Sequence, residues 1–248
     1  MENLFRCPDC HSLCMAESSV VVCKSCKKPY PITAAIFSFG EDKDTKTWDS
    51  YWKRVPIYDE ILDFLRKMMN LQLKRYLKKY VHPSEKTLEP GGGSAYVSAM
   101  LQEEGQEAFA LDYAALPLKI ARDTLKSKAT LVQGDMFNMP FVNNSFDLTF
   151  NNSTLEHFSN PGDALKEMVR VTKPGKFVFV GVPFTYGPLA MYKLKKSSFK
   201  GAWDGKTYDR TGLKKLFKDA GLEIVGSRTF FFRCFVGVVG KKTEERQE

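Results

Sequence analysis

The sequence has no apolar run of about 18 or more residues, which is the length that a membrane-spanning helix requires. Its first residues also lack the basic and then apolar pattern of a secretory signal peptide. From these two absences we expect no membrane span and a cytoplasmic location.

Cysteine is nearly absent beyond residue 26, where Cys234 alone remains of the six in the chain. In a chain without a secretory signal, cysteines crowded at one end favour metal binding over disulfides. Cys234 falls in an apolar stretch, so we interpret it as a core residue.

The composition leaves room for one large α/β domain and a small appendage. Of 248 residues, 43% are hydrophobic, which is ample for a buried core. The net charge of +8 favours acidic partners such as RNA or an anionic substrate or surface. Lysines and arginines cluster in residues 53–79 and 193–218. These clusters are interpreted either as solvated helical faces or as a nucleic-acid surface.

Two Cys-x-x-Cys pairs near the N-terminus flank a strand-like run of valines at residues 20–22. The four cysteines are Cys7, Cys10, Cys23 and Cys26. Two such turns joined by a hairpin place four thiolates in the tetrahedral arrangement of structural zinc. A reducible disulfide pair and an iron site are the alternatives. The spacing of His11 and Cys14 does not fit the set, so we leave both out of it.

The residues after Cys26 carry a resemblance to a known family. Together with the two cysteine pairs, Tyr30-Pro31-Ile32 resembles the small zinc-ribbon activator proteins of tRNA, rRNA and release-factor methyltransferases. It is also similar to N-terminal ribbons fused to many prokaryotic methyltransferases. That family often continues with Asp-Gly-Ile-Pro, whereas residues 33–37 here read Thr-Ala-Ala-Ile-Phe.

From residue 87 onward, strand and helix patterns alternate, which predicts a mostly parallel sheet with helices on both faces. We therefore divide the chain into a zinc ribbon (1–40), a linker with a helical lid (41–84) and an α/β domain (85–248). The predicted helices are 48–80, 96–104, 116–125, 161–171 and 211–220. The predicted strands are 87–89, 108–112, 129–132, 146–150, 177–182, 223–225 and 230–239.

The first strand of this alternation ends in Glu89 and is followed at once by Gly91, Gly92 and Gly93. Glycines at such a turn let the backbone approach a ligand closely. NAD enzymes, flavin enzymes and methyltransferases all use a turn of this kind. Because a carboxylate suits a cationic amine better than a pyrophosphate, Glu89 favours S-adenosylmethionine (SAM).

Polar residues after the next strands extend the predicted cofactor site. Asp112 closes the second strand, where a carboxylate can accept the ribose hydroxyls, and Tyr113 follows it. Asp135 and Met136 follow the third strand and are predicted to meet the adenine, although Asp135 also suits a helix cap. Asn151 and Asn152 follow the fourth strand, and one of them is predicted to face the methionine portion or the acceptor.

The order of these parts resembles class I SAM-dependent methyltransferases over roughly residues 85–240. Residues 134–147 look like the family's Gly-Asp, Leu-Pro-Phe and Ser-Phe-Asp segment, residues 155–157 match its Leu-Glu-His, and residues 167–176 its Glu-x-x-Arg-Val-Leu-Lys-Pro-Gly-Gly. Ala95 stands where the family has its last motif glycine, and Lys176 replaces a glycine. The resemblance implies a Rossmann-like, doubly wound sheet with an antiparallel final strand, and it implies SAM as the cofactor.

The resemblance is closest to the branch with quinone-biosynthesis enzymes, which implies a small-molecule acceptor. The alternatives are an RNA or protein acceptor docked by the ribbon and the basic surface, and a non-catalytic binding scaffold. An NAD enzyme would leave the segment at Asp135 unexplained. The Asn-Pro-Pro-Tyr signature of amino-group base methylation is absent.

His157 is the candidate catalytic base, next to Glu156. Methyl transfer from a sulfonium depends mainly on alignment, so a base is needed only where the acceptor must lose a proton. The alternative interpretation is that both residues cap and pack the following helix.

Two segments are predicted to decide acceptor specificity, since specificity tends to reside in loops and lids on a fixed scaffold. One is the start of the helical lid, and the other is the aromatic and lysine-rich insertion 183–210. The lid residues are Trp48, Tyr51, Trp52 and Tyr58. Simple packing against the sheet edge is the alternative for these four.

Overall fold

A computed structural model describes residues 3–40, 60–188, 190 and 205–244, with side chains from residue 64 onward in the second range. The predicted lid residues Trp48, Tyr51, Trp52 and Tyr58 lie outside the described residues, as does most of the insertion 183–210.

Strands and helices alternate from β5 onward, as the sequence predicts. The strands are β1 (Cys14–Ala16), β2 (Val20–Cys23), β3 (Pro29–Thr33), β4 (Ile36–Ser38), β5 (Lys86–Pro90), β6 (Glu107–Asp112), β7 (Thr130–Gln133), β8 (Phe146–Asn152), β9 (Thr172–Pro183), β10 (Leu222–Phe230) and β11 (Phe235–Lys242). The helices are α1 (Glu60–Leu77), α2 (Tyr96–Glu103), α3 (Ala115–Asp123), α4 (Pro161–Val171) and α5 (Arg210–Asp219), and a short 3-10 turn covers Leu155–His157.

The described strands form one sheet in the order β1-β2-β3-β4-β7-β6-β5-β8-β9-β11-β10. The run from β4 to β9 is parallel throughout, whereas β11 is antiparallel to both β9 and β10. The doubly wound, mostly parallel sheet with an antiparallel end is therefore confirmed. In such a sheet the carboxyl ends of the parallel strands share one edge, where ligands bind.

The two larger of the three hydrophobic clusters among the described residues lie on opposite faces of the sheet. Along β9, Val178 and Val180 belong to one core with α4 and α5, while Phe179 belongs to the other core with α1 and α2. Side chains of successive strand residues point to opposite faces, so a strand buried on both sides is apolar at every position.

The N-terminal unit is continuous with the sheet. Strand β4 pairs in parallel with β7, with Phe37 opposite Val132, and thereby covers an edge of the parallel sheet. Phe5 packs its ring against those of Phe37 and Phe141, at centroid distances of 5.1 and 5.7 Å. One hydrophobic core is therefore shared by residues on both sides of the predicted boundary at residue 40, and the domain bounds stay a prediction.

The last two strands differ from the prediction, which placed a strand over 230–239. The structure has a turn at residues 231–234 between β10 and β11. Phe231, Phe232 and Arg233 adopt positive φ values of 47°, 53° and 61° there. These residues carry none of the usual turn chemistry, which explains the error.

Within the described residues, we find no helix that combines the length and the apolar character of a membrane crossing.

Candidate functional site

The glycine turn between β5 and α2 is built close to neighbouring backbone and side chains. Gly91 and Gly93 have φ values of +67° and +53°, a region that disfavours other residues. A Cβ atom on Gly91 would lie 2.5 Å from Cγ2 of Thr154, and the Thr154 hydroxyl donates to the Gly91 carbonyl at 2.9 Å. On Gly92, a Cβ atom would lie 3.0 Å from the Glu89 carbonyl oxygen. Gly91 therefore combines a left-handed backbone with a crowded Cβ position, and both disfavour any other residue there.

Asp112 connects the turn to the end of β6. Its Oδ2 accepts from the Gly93 amide at 2.8 Å, and its Oδ1 accepts from the Ala114 amide at 2.9 Å. Burial raises the pKa of Asp112 to about 6, although the hydrogen bonds from the two amides act to lower that pKa. Each carboxylate oxygen has two lone pairs, so both can still accept a ribose hydroxyl. Tyr113 follows at the same strand end, where its carbonyl accepts from the Gln133 side chain at 3.4 Å.

Glu89 is a buried carboxyl group, 6% exposed, at the floor of the turn. Its Oε2 accepts from the Ser98 amide at 3.0 Å and from the Ser98 hydroxyl at 2.6 Å. Burial raises the pKa of Glu89 to about 7, because these hydrogen bonds do not offset the loss of water. A cation placed beside Glu89 would compensate that cost, so the site suits a cationic ligand group.

A cavity of about 140 Å³ opens beside Glu89 and Gly92. Its remaining lining residues are Arg66, Met69, Asn70, Ser94, Tyr96, Val97, Asn152 and Ser153. Oδ1 of Asn152 and Oγ of Ser153 are buried without a hydrogen-bond partner in the described part of the chain, so neither atom faces the open space of the cavity. The glycine cradle and the Glu89 carboxyl group fit the amino-acid end of SAM.

Asn151, predicted to face the methionine portion or the acceptor, lies beneath the turn instead. Its side chain is fully buried, donates to the Pro90 carbonyl at 2.6 Å and accepts from the Leu155 amide at 3.3 Å. It thereby holds β5 against the 3-10 turn, and the cavity is lined by Asn152 and Ser153, which follow it. Of the two asparagines named from the sequence, Asn152 lines the cavity and Asn151 does not, and contact of either with the cofactor or acceptor stays a prediction.

The loop after β7 contains Asp135 and Met136, the predicted adenine contacts. Asp135 is exposed and its Oδ1 accepts from the Phe137 amide at 2.8 Å, which is the capping role that the sequence left open. Met136 is 5% exposed. The Asp112 carbonyl accepts from the Gly134 amide at 3.0 Å, so this loop begins beside the end of β6. Contact of either residue with adenine stays a prediction.

His157 lies at the end of the 3-10 turn, and its Nε2 is 4.0 Å from Oε1 of Glu156. Glu156 is 1% exposed. Neither residue lines the described cavity beside Glu89. The catalytic role of His157 stays a prediction.

Arg66, Met69 and Asn70 are site residues that sequence reasoning missed. The sequence predicted the helix but not which of its faces meets the glycine turn. Their spacing of three and four residues was the available signal, because it places them on one helix face. The next residues of that face, Leu73 and Leu77, are fully buried.

The four predicted ligands in the N-terminal unit lie together, with all Sγ atoms within 4.8 Å of one another. Sγ atoms of Cys7 and Cys26 are 3.7 Å apart, and those of Cys10 and Cys23 are 3.4 Å apart. Zinc–sulfur bonds of about 2.3 Å in a tetrahedron place sulfurs roughly 3.8 Å apart, whereas a disulfide needs about 2.05 Å. The donor set therefore fits a tetrahedral metal ion.

Two neighbours of this cluster have other roles. The Tyr30 hydroxyl lies 2.9 Å from Sγ of Cys7, within hydrogen-bonding distance of that sulfur. Cys14 is 2% exposed and burial raises the pKa of its thiol to about 12, so it stays protonated. The exclusion of Cys14 from the ligand set agrees with this geometry.

Comparison with known proteins relates the central part of the chain to methyltransferases. Residues 88–180 match the family model described as a methyltransferase domain. The chain is 27% identical over 209 residues to the biotin biosynthesis bifunctional protein BioHC of Cellvibrio japonicus, covering 79% of this chain and 40% of that protein. It is 31% identical over 148 residues to the demethylmenaquinone methyltransferase of Corynebacterium glutamicum, covering 60% of this chain and 52% of that protein.

A solved structure shows the same fold. It is a chain from the complex of the Haloferax volcanii Trm112 methyltransferase activator, at a TM-score of 0.66 and 17% identity. The match covers 83% of this chain and 100% of that chain. Identity this low shows the fold alone, and the present chain spans about half or less of the two curated relatives. With the family match, these findings show that residues 88–180 form a class I SAM-dependent methyltransferase domain on a Rossmann-like sheet.

Proposed function

We propose that the protein transfers a methyl group from SAM to a small-molecule acceptor. The observation that carries the proposal is the buried Glu89 carboxyl group beside a glycine turn that is crowded at the Cβ position of Gly91. Glu89 receives the ammonium of the cofactor, and Asp112 receives its ribose hydroxyls. The loop at Asp135 and Met136 then borders the adenine.

In the proposed reaction the methyl group passes directly from SAM to the acceptor, and the protein forms no covalent bond to it. A lone pair of the acceptor forms the new bond to the methyl carbon while the carbon–sulfur bond breaks, and its electron pair stays on sulfur. The cofactor becomes a neutral thioether. Orienting the two reactants in line is therefore the main task of the site.

A matched pair of glycine variants tests SAM binding by calorimetry. Gly91 and Gly221 both have positive φ, at +67° and +79°, but a Cβ atom on Gly221 meets nothing within 4 Å. We expect Gly91→Ala to weaken SAM binding at least about tenfold, since the turn must shift. Gly221→Ala has a similar backbone strain far from the turn and should leave the affinity unchanged. Absence of binding by the folded wild-type protein would contradict the proposal and favour a non-catalytic scaffold.

His157 is the proposed base for an acceptor that must lose a proton. General-base removal typically costs roughly 100-fold or more in rate. We expect His157→Gln to lower kcat by at least that factor, with the SAM dissociation constant unchanged. A loss below about threefold assigns His157 to packing of α4 instead.

The acceptor class rests on the relatives and on charge. The relative named for demethylmenaquinone supports a small molecule. The net charge of +8 and the likeness to a chain of the Haloferax complex between a methyltransferase activator and a methyltransferase favour RNA or protein as the second candidate. An RNA acceptor should bind more weakly as salt rises, in proportion to the phosphates contacted. A flat salt response of acceptor binding would support the small molecule.

We also propose that Cys7, Cys10, Cys23 and Cys26 hold one structural zinc ion. The tetrahedral spacing of their sulfurs supports it. Elemental analysis of purified protein should find about one zinc per chain. Iron in its place, or metal-free protein with two disulfides, would contradict this part of the proposal.

A further inference from the structure

Helix α1 forms part of the wall of the cavity that also contains Glu89 and Gly92. Arg66, Met69 and Asn70 line the cavity, and Leu73 continues the same face into the core. Further along the helix, Oε1 of Gln72 accepts from the Phe231 amide at 3.1 Å. This hydrogen bond ties the helix to the hairpin of β10 and β11.

The cavity is lined by one cationic and one acidic side chain. Among the described lining residues, Arg66 is the cation and Glu89 the carboxylic acid. The volume of about 140 Å³ is below the roughly 300–1,000 Å³ of a whole-ligand pocket, so the cavity has the size for one end of a cofactor. A small pocket with one group of each sign matches a zwitterion.

The two charged side chains can meet both ends of such a zwitterion. An ammonium group has three N–H donors, and the Glu89 carboxylate can accept from it. The carboxylate of the same zwitterion is then left for Arg66, whose guanidinium offers a planar fork of N–H donors.

We propose that Arg66 binds the α-carboxylate of SAM and of its demethylated product, while Glu89 receives the α-ammonium. This rests on the proposed function, because it assigns the two charges of the cofactor's methionyl end. The site then distinguishes SAM from adenosine thioethers that lack the carboxylate. Arg66 belongs to helix α1, whereas the glycine turn joins β5 to α2. Selectivity for the carboxylate therefore comes from a different element than the glycine turn.

The test compares two ligands by calorimetry: S-adenosylhomocysteine and its decarboxylated analogue, which keeps the amine. A charge-assisted hydrogen bond is worth about 1.5–3 kcal/mol, so we expect the wild type to prefer the carboxylate form by roughly 10- to 100-fold. Arg66→Gln should reduce that preference to within about threefold. Arg66→Lys keeps the charge without the fork and should retain an intermediate preference.

Arg75 provides a matched control, since it is an exposed arginine on the same helix that does not line the cavity. Arg75→Gln should keep the wild-type preference. An undiminished preference in both Arg66 variants would overturn the assignment of Arg66 and leave SAM binding intact. A wild type that binds neither ligand would contradict the proposed function itself and the inference with it.

Discussion

The side-chain amide of Asn138 donates a hydrogen bond to the carbonyl of Pro8 at 2.8 Å. Pro8 lies between two proposed zinc ligands, and Asn138 lies in the loop that carries the predicted adenine contacts. Oδ1 of Asn138 also accepts from the Arg6 guanidinium at 3.1 Å. The proposed metal site and the proposed cofactor site are therefore joined by direct hydrogen bonds.

Replacing Asn138 tests this connection. Asn138→Ala removes both hydrogen bonds, which should cost about 1 kcal/mol each in stability and weaken SAM binding several-fold. Asn160→Ala is the control, since Asn160 is exposed and its side chain makes no capping bond to α4. Equal SAM affinities in the two variants would show that the loop keeps its position without the ribbon. Denaturant unfolding and calorimetry measure the two effects.

Removing the proposed zinc ion should destabilise the whole protein in a single transition. Cys7, Cys23 and Phe37 share one core with Phe109 and Phe146 of the parallel sheet. Loss of a structural zinc costs several kcal/mol, which for a chain of this size lowers Tm by roughly 10 °C or more.

Scanning calorimetry with and without chelator measures that change. Cys26→Ser should reproduce the effect of chelation, whereas Cys14→Ala should lower Tm by only about 2–4 °C, as for a loss of about 1 kcal/mol. Two separate transitions, with only the first abolished by chelation, would show that the ribbon folds independently.

The hairpin of β3 and β4 turns through two alanines with positive φ, Ala34 at 49° and Ala35 at 63°. A non-glycine residue pays about 1–2 kcal/mol to adopt the left-handed region, and a glycine substitution removes that cost. Glycine also makes the unfolded chain more flexible, which lowers stability by about 0.4–1 kcal/mol. We expect Ala35→Gly to stabilise the protein by about 0.5–1 kcal/mol in denaturant unfolding. Ala16→Gly, at an exposed position in strand β1, should destabilise it instead. A loss of stability in Ala35→Gly would contradict the turn conformation.

Local patterns in the sequence predicted the features that depend on neighbouring residues. The helix predicted over 161–171 matches α4, since Pro161 begins it and an apolar face follows at helical spacing. The Cys-x-x-Cys spacing likewise brings Cys7 and Cys10 close together within one turn, so the sequence predicted the cluster of thiols. The carboxylates Glu89 and Asp112 were predictable because each ends a buried strand.

Features that depend on pairing between distant segments left no local signal. The pairing of β4 with β7, with Ile36 opposite Leu131, joins segments that are far apart in the chain. The approach of Arg66 to the glycine turn depends on how α1 docks on the sheet, which helical periodicity does not specify. Sequence patterns therefore predicted the elements and the strand-end residues, whereas the docking of the ribbon and of α1 required the structure.

The central claim is that the Glu89 carboxylate receives the ammonium of SAM, and the pH dependence of SAM affinity tests it most directly. Because burial raises the pKa of Glu89 to about 7, the free site is increasingly protonated as pH falls through 7. The α-amino group of SAM stays protonated below its pKa, which for an α-amino group is about 7.7–8.0. The charge of SAM is therefore constant while pH falls below 7. Binding a cation requires the ionised carboxylate, and affinity must fall with pH.

Calorimetry between pH 6 and 7.5 should show the wild-type affinity for SAM falling about tenfold toward pH 6. Below the pKa, the ionised fraction of a carboxyl group falls about tenfold for each pH unit. Glu89→Gln should bind SAM at least about tenfold more weakly at pH 7.5, with little change across the same range. A wild-type affinity that is constant from pH 6 to 7.5, or a Gln variant that binds as tightly as wild type, would contradict the account.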